Sequence, residues 1–415
     1  MKLRKKPTAS NLQSPMTNGI VFSLTLFVLC SFCLLSMKNG AVDYAALIFS
    51  LILVGMVLFQ YILFRFAFVR ADLQIMLIVN ILSMLGMVVQ YRLDPATAYR
   101  QFIFYAAGIV LMILIMIILP KMKKLRSLDL FFACAAIALL CLATFFGTES
   151  GGSRNWFSIG SFTFQPSEPV KVLLVLILAG ELSKNRNIRK IIPTGIFVGI
   201  SMILLVLQKD LGATLLYFGA ALIMLYLGTG NIPITLAAFG AGAGGAVVSY
   251  HLFYHVRTRV AVWRDPWADP LGSGYQIVQS LIAIASGGLF GMGLGNGVAK
   301  GLLPQYDTDF VFAVICEEFG QIIGVCVLLF YFVLVFRGCI IALRAKTRFE
   351  ALLCVGSVAM LALQTITNIG GVIRFIPLTG VTLPFISYGG SSMITSMIFI
   401  GIVQAISIAN GGRRR

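Results

Sequence analysis

Twelve apolar runs of near membrane-spanning length punctuate the chain, and they leave it little choice of fold. They cover residues 19–37, 45–63, 73–89, 102–119, 128–146, 169–182, 191–207, 211–227, 235–253, 310–336, 351–373 and 383–409. A helix crosses the hydrocarbon layer with about 20 apolar residues. In lipid, each backbone polar group needs a partner inside its own segment, so isolated runs of this kind become helices. The run 169–182 is short. It must begin earlier, near Ser167, or be tilted or partly buried. The chain is 59% hydrophobic and 11% charged, where soluble domains sit near half apolar and about a quarter charged. The expected fold is all-α and polytopic, a bundle of 10–12 transmembrane helices with one long extracytoplasmic loop.

The net charge of +17 would suggest nucleic acid in a soluble protein. Here its placement gives a different explanation. Most basic residues fall in alternate connections: the segment MKLRKK, then Arg65 and Arg70, Lys121 to Arg126, Lys184 to Lys190, Arg337 to Arg348, and the final three arginines. That alternation follows the positive-inside bias and places both termini in the cytoplasm. The basic start followed by an apolar run looks like a signal peptide, but the run is long, lacks a small-residue cleavage site and is followed by more spans. It is expected to remain as the first helix. Residues 1–18 and 411–415 read as cytoplasmic tails around a single membrane domain, 19–410. The eight cysteines lie in or beside apolar segments, without a ligand set or an expected disulfide.

One connection is far longer than the rest, residues 254–309. It carries Arg257, Arg259, Arg264 and Lys300, two tryptophans, a glycine-rich stretch SGGLFGMGLGNG, and the pair Asp307 and Asp309. Long connections in compact proteins are usually functional or disordered. This one is too apolar and aromatic for a disordered linker, so it reads as an active-site loop for a lipid-linked, anionic substrate. Arg257 and Arg259 lie on an extended segment or on nearby helical faces. Guanidinium groups grip phosphate oxygens bidentately, so a pyrophosphate is a natural ligand. The glycine-rich stretch lacks a preceding strand and a GK[ST] ending, so close helix packing or a flexible lid suits it better than a nucleotide site. Trp263 and Trp267 suit interface anchors better than sugar platforms. Asp309 stands at the mouth of the next helix, where it or Thr308 could also serve as an N-cap. Glu317 and Glu318 follow about 12 Å down that helix, and at least one must face the interior.

Three further stretches face the same outer side by the parity of the spans. In RNWFSIGSFTFQPSEPVK, Arg154 and Trp156 could hold an anionic head group and a sugar face, or anchor the chain at the interface. Ser167 could cap the next helix, and Glu168 and Lys171 share one face of it. Such a pair is either a local ion pair or a functional site, and charge entering a bundle favours function. In LQKDLGAT, Asp210 sits between two spans, where a cap and a functional role are compatible. In the stretch 364–392, Asn368, two prolines and SYGGSS break the apolar pattern, which is tolerated where backbone lines a cavity. Ser387 of that run is a substrate-binding candidate. His251 and His255 have no ligand set around them.

These motifs, in this order, resemble those of the SEDS family (shape, elongation, division and sporulation), the bacterial FtsW, RodA and SpoVE proteins. The resemblance runs from about Arg154 to the end. It implies a peptidoglycan glycosyltransferase that polymerises lipid II outside the cytoplasmic membrane beside a class B penicillin-binding transpeptidase. It makes Asp309 the essential acid, and Glu168, Lys171 and Asp210 sensitive positions. Gln305, Asp307, Lys209 and Arg374 depart from the family pattern, Arg374 standing where an uncharged residue is usual. Ten spans are usual in the family, so an extra pair would lie near the N-terminus. The expected chemistry is inverting glycosyl transfer with Asp309 as general base, and Arg154, Glu168, Lys171, Asp210, Arg257, Arg259 and Ser387 binding substrate. No cofactor is required by this reading, and a divalent cation at the pyrophosphate stays open. A lipid-substrate flippase is the competing class and a non-catalytic scaffold the third.

Overall fold

The computed structural model describes residues 9–37, 42–121, 129–150, 153–159, 162–184 and 188–411. Lys38, Lys123, Lys124, Arg126, Arg186, Arg413, Arg414 and Arg415 lie outside them, so the basic ends and parts of two basic connections rest on sequence alone. Helices dominate. The first nine are α1 (Ala9–Ser36), α2 (Tyr44–Phe66), α3 (Leu73–Leu93), α4 (Pro95–Ile118), α5 (Asp129–Phe146), α6 (Ser167–Lys184), α7 (Ile188–Leu207), α8 (Leu211–Thr229) and α9 (Ile232–Leu252). The long connection then holds α10 (Tyr254–Arg264), α11 (Tyr275–Gly287) and the short α12 (Ala299–Leu302). The chain closes with α13 (Val311–Leu343), α14 (Arg348–Val372) and α15 (Gly390–Asn410).

Among the described residues, eleven helices are long and apolar enough to cross a membrane. The expected twelfth is α6. Its 18 residues include Glu168, Lys171, Glu181 and Lys184, which lipid would not accept. The bundle encloses it instead, between α5, α8, α14 and α15, and it does begin at Ser167. Burial falls outward from this centre. Most of α3, α14 and α15 is buried, and none of α9 is. Glycines set the closest approaches: a Cβ on Gly108 of α4 would meet the Met397 side chain of α15 at 2.8 Å, and one on Gly356 of α14 would meet Met224 of α8 at 2.6 Å. Small residues allow such packing where lipid supplies no hydrophobic drive between helices.

Tight caps make the turns. Asp94 ends α3 and starts α4, accepting from the N–H groups of Ala96 and Thr97 with Pro95 in the first turn. Thr347 and Glu350 form a capping box on α14. Between α5 and α6 the chain forms an antiparallel three-stranded sheet rather than a plain loop. Its strands are β1 (Thr148–Ser150), β2 (Ser153–Ile159) and β3 (Phe162–Phe164), in the order β1-β2-β3.

The glycine-rich stretch after α11 wedges into a break in α13. Gly320 leaves helical geometry with φ 87° and ψ 165°. The carbonyls freed above it, Glu317 and Glu318, accept from the N–H groups of Met292 (2.9 Å) and Gly293 (3.0 Å). The N–H groups of Gln321 and Ile322 donate to the carbonyls of Gly288 and Leu289 at 3.0 and 3.3 Å. Gly288, Gly291, Gly293 and Gly295 all have positive φ, and a Cβ on Gly291 would strike the Glu318 carbonyl at 2.3 Å. The close-packing reading of this stretch is therefore the one realised. Glu317 and Glu318 both face inward. Their carboxylates accept from the N–H groups of Val298, Ala299 and Gly295, and Glu318 pairs with Arg92 of α3 at 2.5 Å.

Candidate active site

A cavity of about 370 Å³ opens at the end of the bundle where α6, α8, α13 and α15 begin. Asp309, Glu168, Lys171, Asp210 and Arg259 line it together, beside Trp156, Arg100, Thr382 and Ser392. The structure brings most of the candidates from the sequence to one cavity and leaves two apart from it. Arg257 is exposed and does not line the cavity. On helix α10, two positions apart means about 200° around the axis, so Arg257 and Arg259 leave nearly opposite sides of the helix. Ser387 lies beneath the cavity wall rather than on it. Arg154 belongs to β2, but its side chain is not among those described.

The segment carrying Asp309 is held by its main chain from three sides. The carbonyl of Asp307 accepts from Gln90 of α3 at 2.8 Å and from the Tyr388 N–H at 2.9 Å. The carbonyl of Thr308 accepts from the Ser387 hydroxyl at 2.5 Å, and that of Asp309 from Asn368 of α14 at 2.9 Å. Ser387 also accepts from the Leu383 N–H, and Gln101 of α4 grips the Ser387 carbonyl. Neither Asp309 nor Thr308 acts as the cap of α13, so the carboxyl is left for the cavity. Gly380 sits with φ 74° against it, where a Cβ would lie 3.4 Å from Oδ2. Burial pushes the Asp309 carboxyl up to about 6, against the pull of Arg259 and with a push from Asp307.

Lys171 reaches the cavity from α6, only 2% exposed. Its Nζ donates to Glu168 at 2.8 Å and to Gln364 of α14 at 3.2 Å. Gln364 is in turn held through its amide nitrogen by the Thr382 carbonyl and the Ser392 hydroxyl, each at 3.0 Å. The second oxygen of Glu168 is buried and has no hydrogen-bond partner among the described residues. Charge taken from water in this way is stabilised only by close pairing and further hydrogen bonds, so the arrangement is costly to keep.

Asp210 does two jobs with its two oxygens. Oδ1 accepts from the Ala213 N–H and caps α8. Oδ2 accepts from Asn155 of β2 at 2.7 Å, Gln165 at 3.1 Å and Ser167 at 3.4 Å. Ser167 therefore spends its hydroxyl on Asp210. Arg259 donates to the carbonyls of Thr379 (3.1 Å) and Leu378 (3.4 Å), and it acts electrostatically on both Asp210 and Asp309. Sequence reasoning missed Gln90, Gln101, Asn155, Gln165 and Gln364. Their one signal was an amide within or beside an apolar run. Among the described residues no group of three or more His, Cys, Asp or Glu is placed to hold a metal ion.

Comparison with known proteins shows which family the chain resembles. The model of the FtsW, RodA and SpoVE family, described as cell cycle proteins, matches residues 61–411. Stage V sporulation protein E of Bacillus subtilis (strain 168) is 36% identical over 356 residues, covering 81% of this chain and 96% of its own length. The peptidoglycan glycosyltransferase RodA of Mycobacterium tuberculosis (H37Rv) is 34% identical over 366 residues, covering 81% and 77%. A chain from a peptidoglycan synthase complex, solved for its coordination of polymerization and crosslinking, has TM-score 0.70 at 28% identity, covering 81% of this chain and 97% of that one. The crystal structure of Thermus thermophilus RodA has TM-score 0.60 at 28% identity, covering 82% and 97%. The match begins inside α2, which leaves α1 and most of α2 outside it. From that point to its last helix, this chain belongs to the FtsW/RodA/SpoVE family of cell cycle proteins.

Proposed function

We propose that this multi-pass membrane protein is a peptidoglycan glycosyltransferase that polymerises lipid II. One observation carries the reading: a carboxyl and two cationic side chains, Asp309, Lys171 and Arg259, line a single cavity at one end of a membrane bundle. The acceptor sugar hydroxyl attacks the anomeric carbon of the donor. The bond from that carbon to the pyrophosphate oxygen breaks, configuration inverts, and the hydroxyl proton passes to Asp309. Lys171 and Arg259 meet the charge that grows on the leaving pyrophosphate, where preorganised donors act most strongly. The main-chain anchors of 307–309 keep the base from drifting as the strand advances. The parity of basic residues supports an outward-facing cavity in the cytoplasmic membrane, with both termini inside. The synthase-complex relative supports a transpeptidase of the class B penicillin-binding type as partner.

Transport of the same lipid fits less well. Glu317, Glu318 and Asn368, the polar groups that kept a flippase open, are bound to the wedge and to the carbonyls of Asp309 and Val381, and none lines the cavity. The test is polymerisation of lipid II by the purified protein, with and without a cognate transpeptidase, read as glycan strands on a gel. Asp309→Ala should lower turnover by at least about 100-fold, the usual contribution of a general base, while membrane insertion is unchanged. Normal turnover by that variant would remove Asp309 from the chemistry.

A further inference from the structure

Among the described residues, four that are not glycine adopt positive φ: Lys209 (62°), Gln305 (56°), Arg374 (61°) and Phe385 (67°). Three of them are positions where this chain departs from the family motifs. Arg374 is the most informative, because its side chain has a definite target. Its Nε donates to the Trp263 carbonyl at 2.9 Å and its Nη2 to the Arg264 carbonyl at 2.6 Å. These carbonyls end α10, where a helix leaves its last acceptors without partners and carries partial negative charge. The grip is reciprocal. From within α10, Arg259 donates to the carbonyls of Leu378 and Thr379, a few residues beyond Arg374. No residue of helix α10 is fully buried; its apolar ones, Val256, Val260, Val262 and Trp263, are half-buried. Two arginines, one from each side, clasp it to the segment after α14.

We propose that Arg374 is a positioning residue: by holding the end of α10 it aims Arg259 into the cavity beside Asp309. The inference rests on the glycosyl-transfer reading only for its effect on rate; the clasp stands on geometry. A left-handed backbone is adopted freely by glycine and rarely by other residues. An arginine kept there is compatible with a side chain whose contacts outweigh the strain.

Arg374→Gly separates the two roles, because it relaxes the backbone while deleting the clasp. The bundle should melt at or above the wild-type temperature. The amides of α10 should exchange with solvent roughly tenfold faster, since a detached helix opens locally. In lipid II polymerisation, kcat/KM should fall roughly tenfold, the scale of a modest misplacement. The acid limb of the pH profile should rise toward that of Arg259→Gln. The other charged groups around Asp309, namely Asp307, Asp210 from the start of α8, Glu168 and Lys171 from α6 and Arg100 from α4, are unchanged by the substitution. In an Arg259→Gln background, Arg374→Gly should cost nothing further. Arg374→Asn, which also tolerates the left-handed region, should reproduce the exchange result and so excludes a loosening peculiar to glycine. Unchanged exchange in α10, or a rate loss that adds to that of Arg259→Gln, overturns the proposal. A wild type unable to polymerise lipid II would instead overturn the glycosyl-transfer reading, and the exchange result would still decide the clasp.

Discussion

Asp309 has to accept a proton while protein surrounds it, and these demands meet in one number. Burial raises its carboxyl to about 6, Arg259 opposes the rise, and Asp307 adds to it. The acid is ionised, and able to act as a base, above that pH and protonated below it. The pH profile of kcat/KM should therefore have an acid limb near pH 6, because that quantity reports groups in the free enzyme. Arg259→Gln removes the one influence that lowers the carboxyl, so the limb should move to higher pH. A limb that stays in place would show that Arg259 does not act on the base. At this scale the sequence was informative about charge and poor about amides. Asp309, Glu168, Lys171, Asp210 and Arg259 were legible because ionised groups at membrane depth demand an explanation. Arg257 was grouped with Arg259 because so polar a stretch left open whether 254–264 is extended or helical, and as a helix it carries the two on different sides. Gln364 and Asn155 escaped because a neutral amide carries no comparable signal.

The junction of α13 with the glycine-rich wedge is where one element supports another. Arg92 and Glu318 are both almost wholly buried, at 9% and 1% side-chain exposure, and the pair ties α3 to the wedged helix. Arg92 also donates to the Gly297 carbonyl at 2.5 Å. Glu318→Ala would leave a guanidinium buried without its counter-charge, a change that costs about 3–5 kcal/mol. It should appear as a clear drop in the melting temperature of the detergent-solubilised protein. Glu318→Gln keeps an acceptor for the Gly295 N–H and should lose less. Equal losses would show that the pairing of charge is unimportant there. The sequence announced helices by their apolar runs, and it counted the run of α6 as a span while noting that it is short. It did not announce the break in α13. Gly320 lies within the long run 310–336, where a lone glycine is tolerated in a helix, and its partners come from a loop whose path depends on tertiary contacts.

At the scale of the whole molecule, α1 and α2 are an addition fastened to a family bundle. Gln60 of α2 donates to the Tyr105 hydroxyl at 2.9 Å, which donates to Asn80 of α3 at 2.8 Å, all fully buried. Tyr91 of α3 donates to Asp43 ahead of α2 at 3.0 Å, and Phe27 of α1 meets Phe319 of α13 with ring centroids 6.4 Å apart. Removing residues 1–66 deletes an even number of spans and leaves the later basic connections in place, so orientation should be preserved. The truncated chain should still polymerise lipid II and melt several degrees lower, since Tyr105 loses Gln60 and Tyr91 loses Asp43. Reversed labelling of single cysteines across the membrane would contradict this. The membrane-spanning helices were open to reading from hydropathy, except that α6 was counted as a span, and the fastening of α1 and α2 was not, because it depends on which buried amide meets which hydroxyl. One consequence of the broken helix concerns bilayer thickness. Residues 321–343 alone form a rod of about 35 Å, enough to traverse the hydrocarbon layer of about 30 Å. The shorter piece above the joint, tethered to the wedge, can then keep its station while the rod below leans to suit a thicker or thinner lipid.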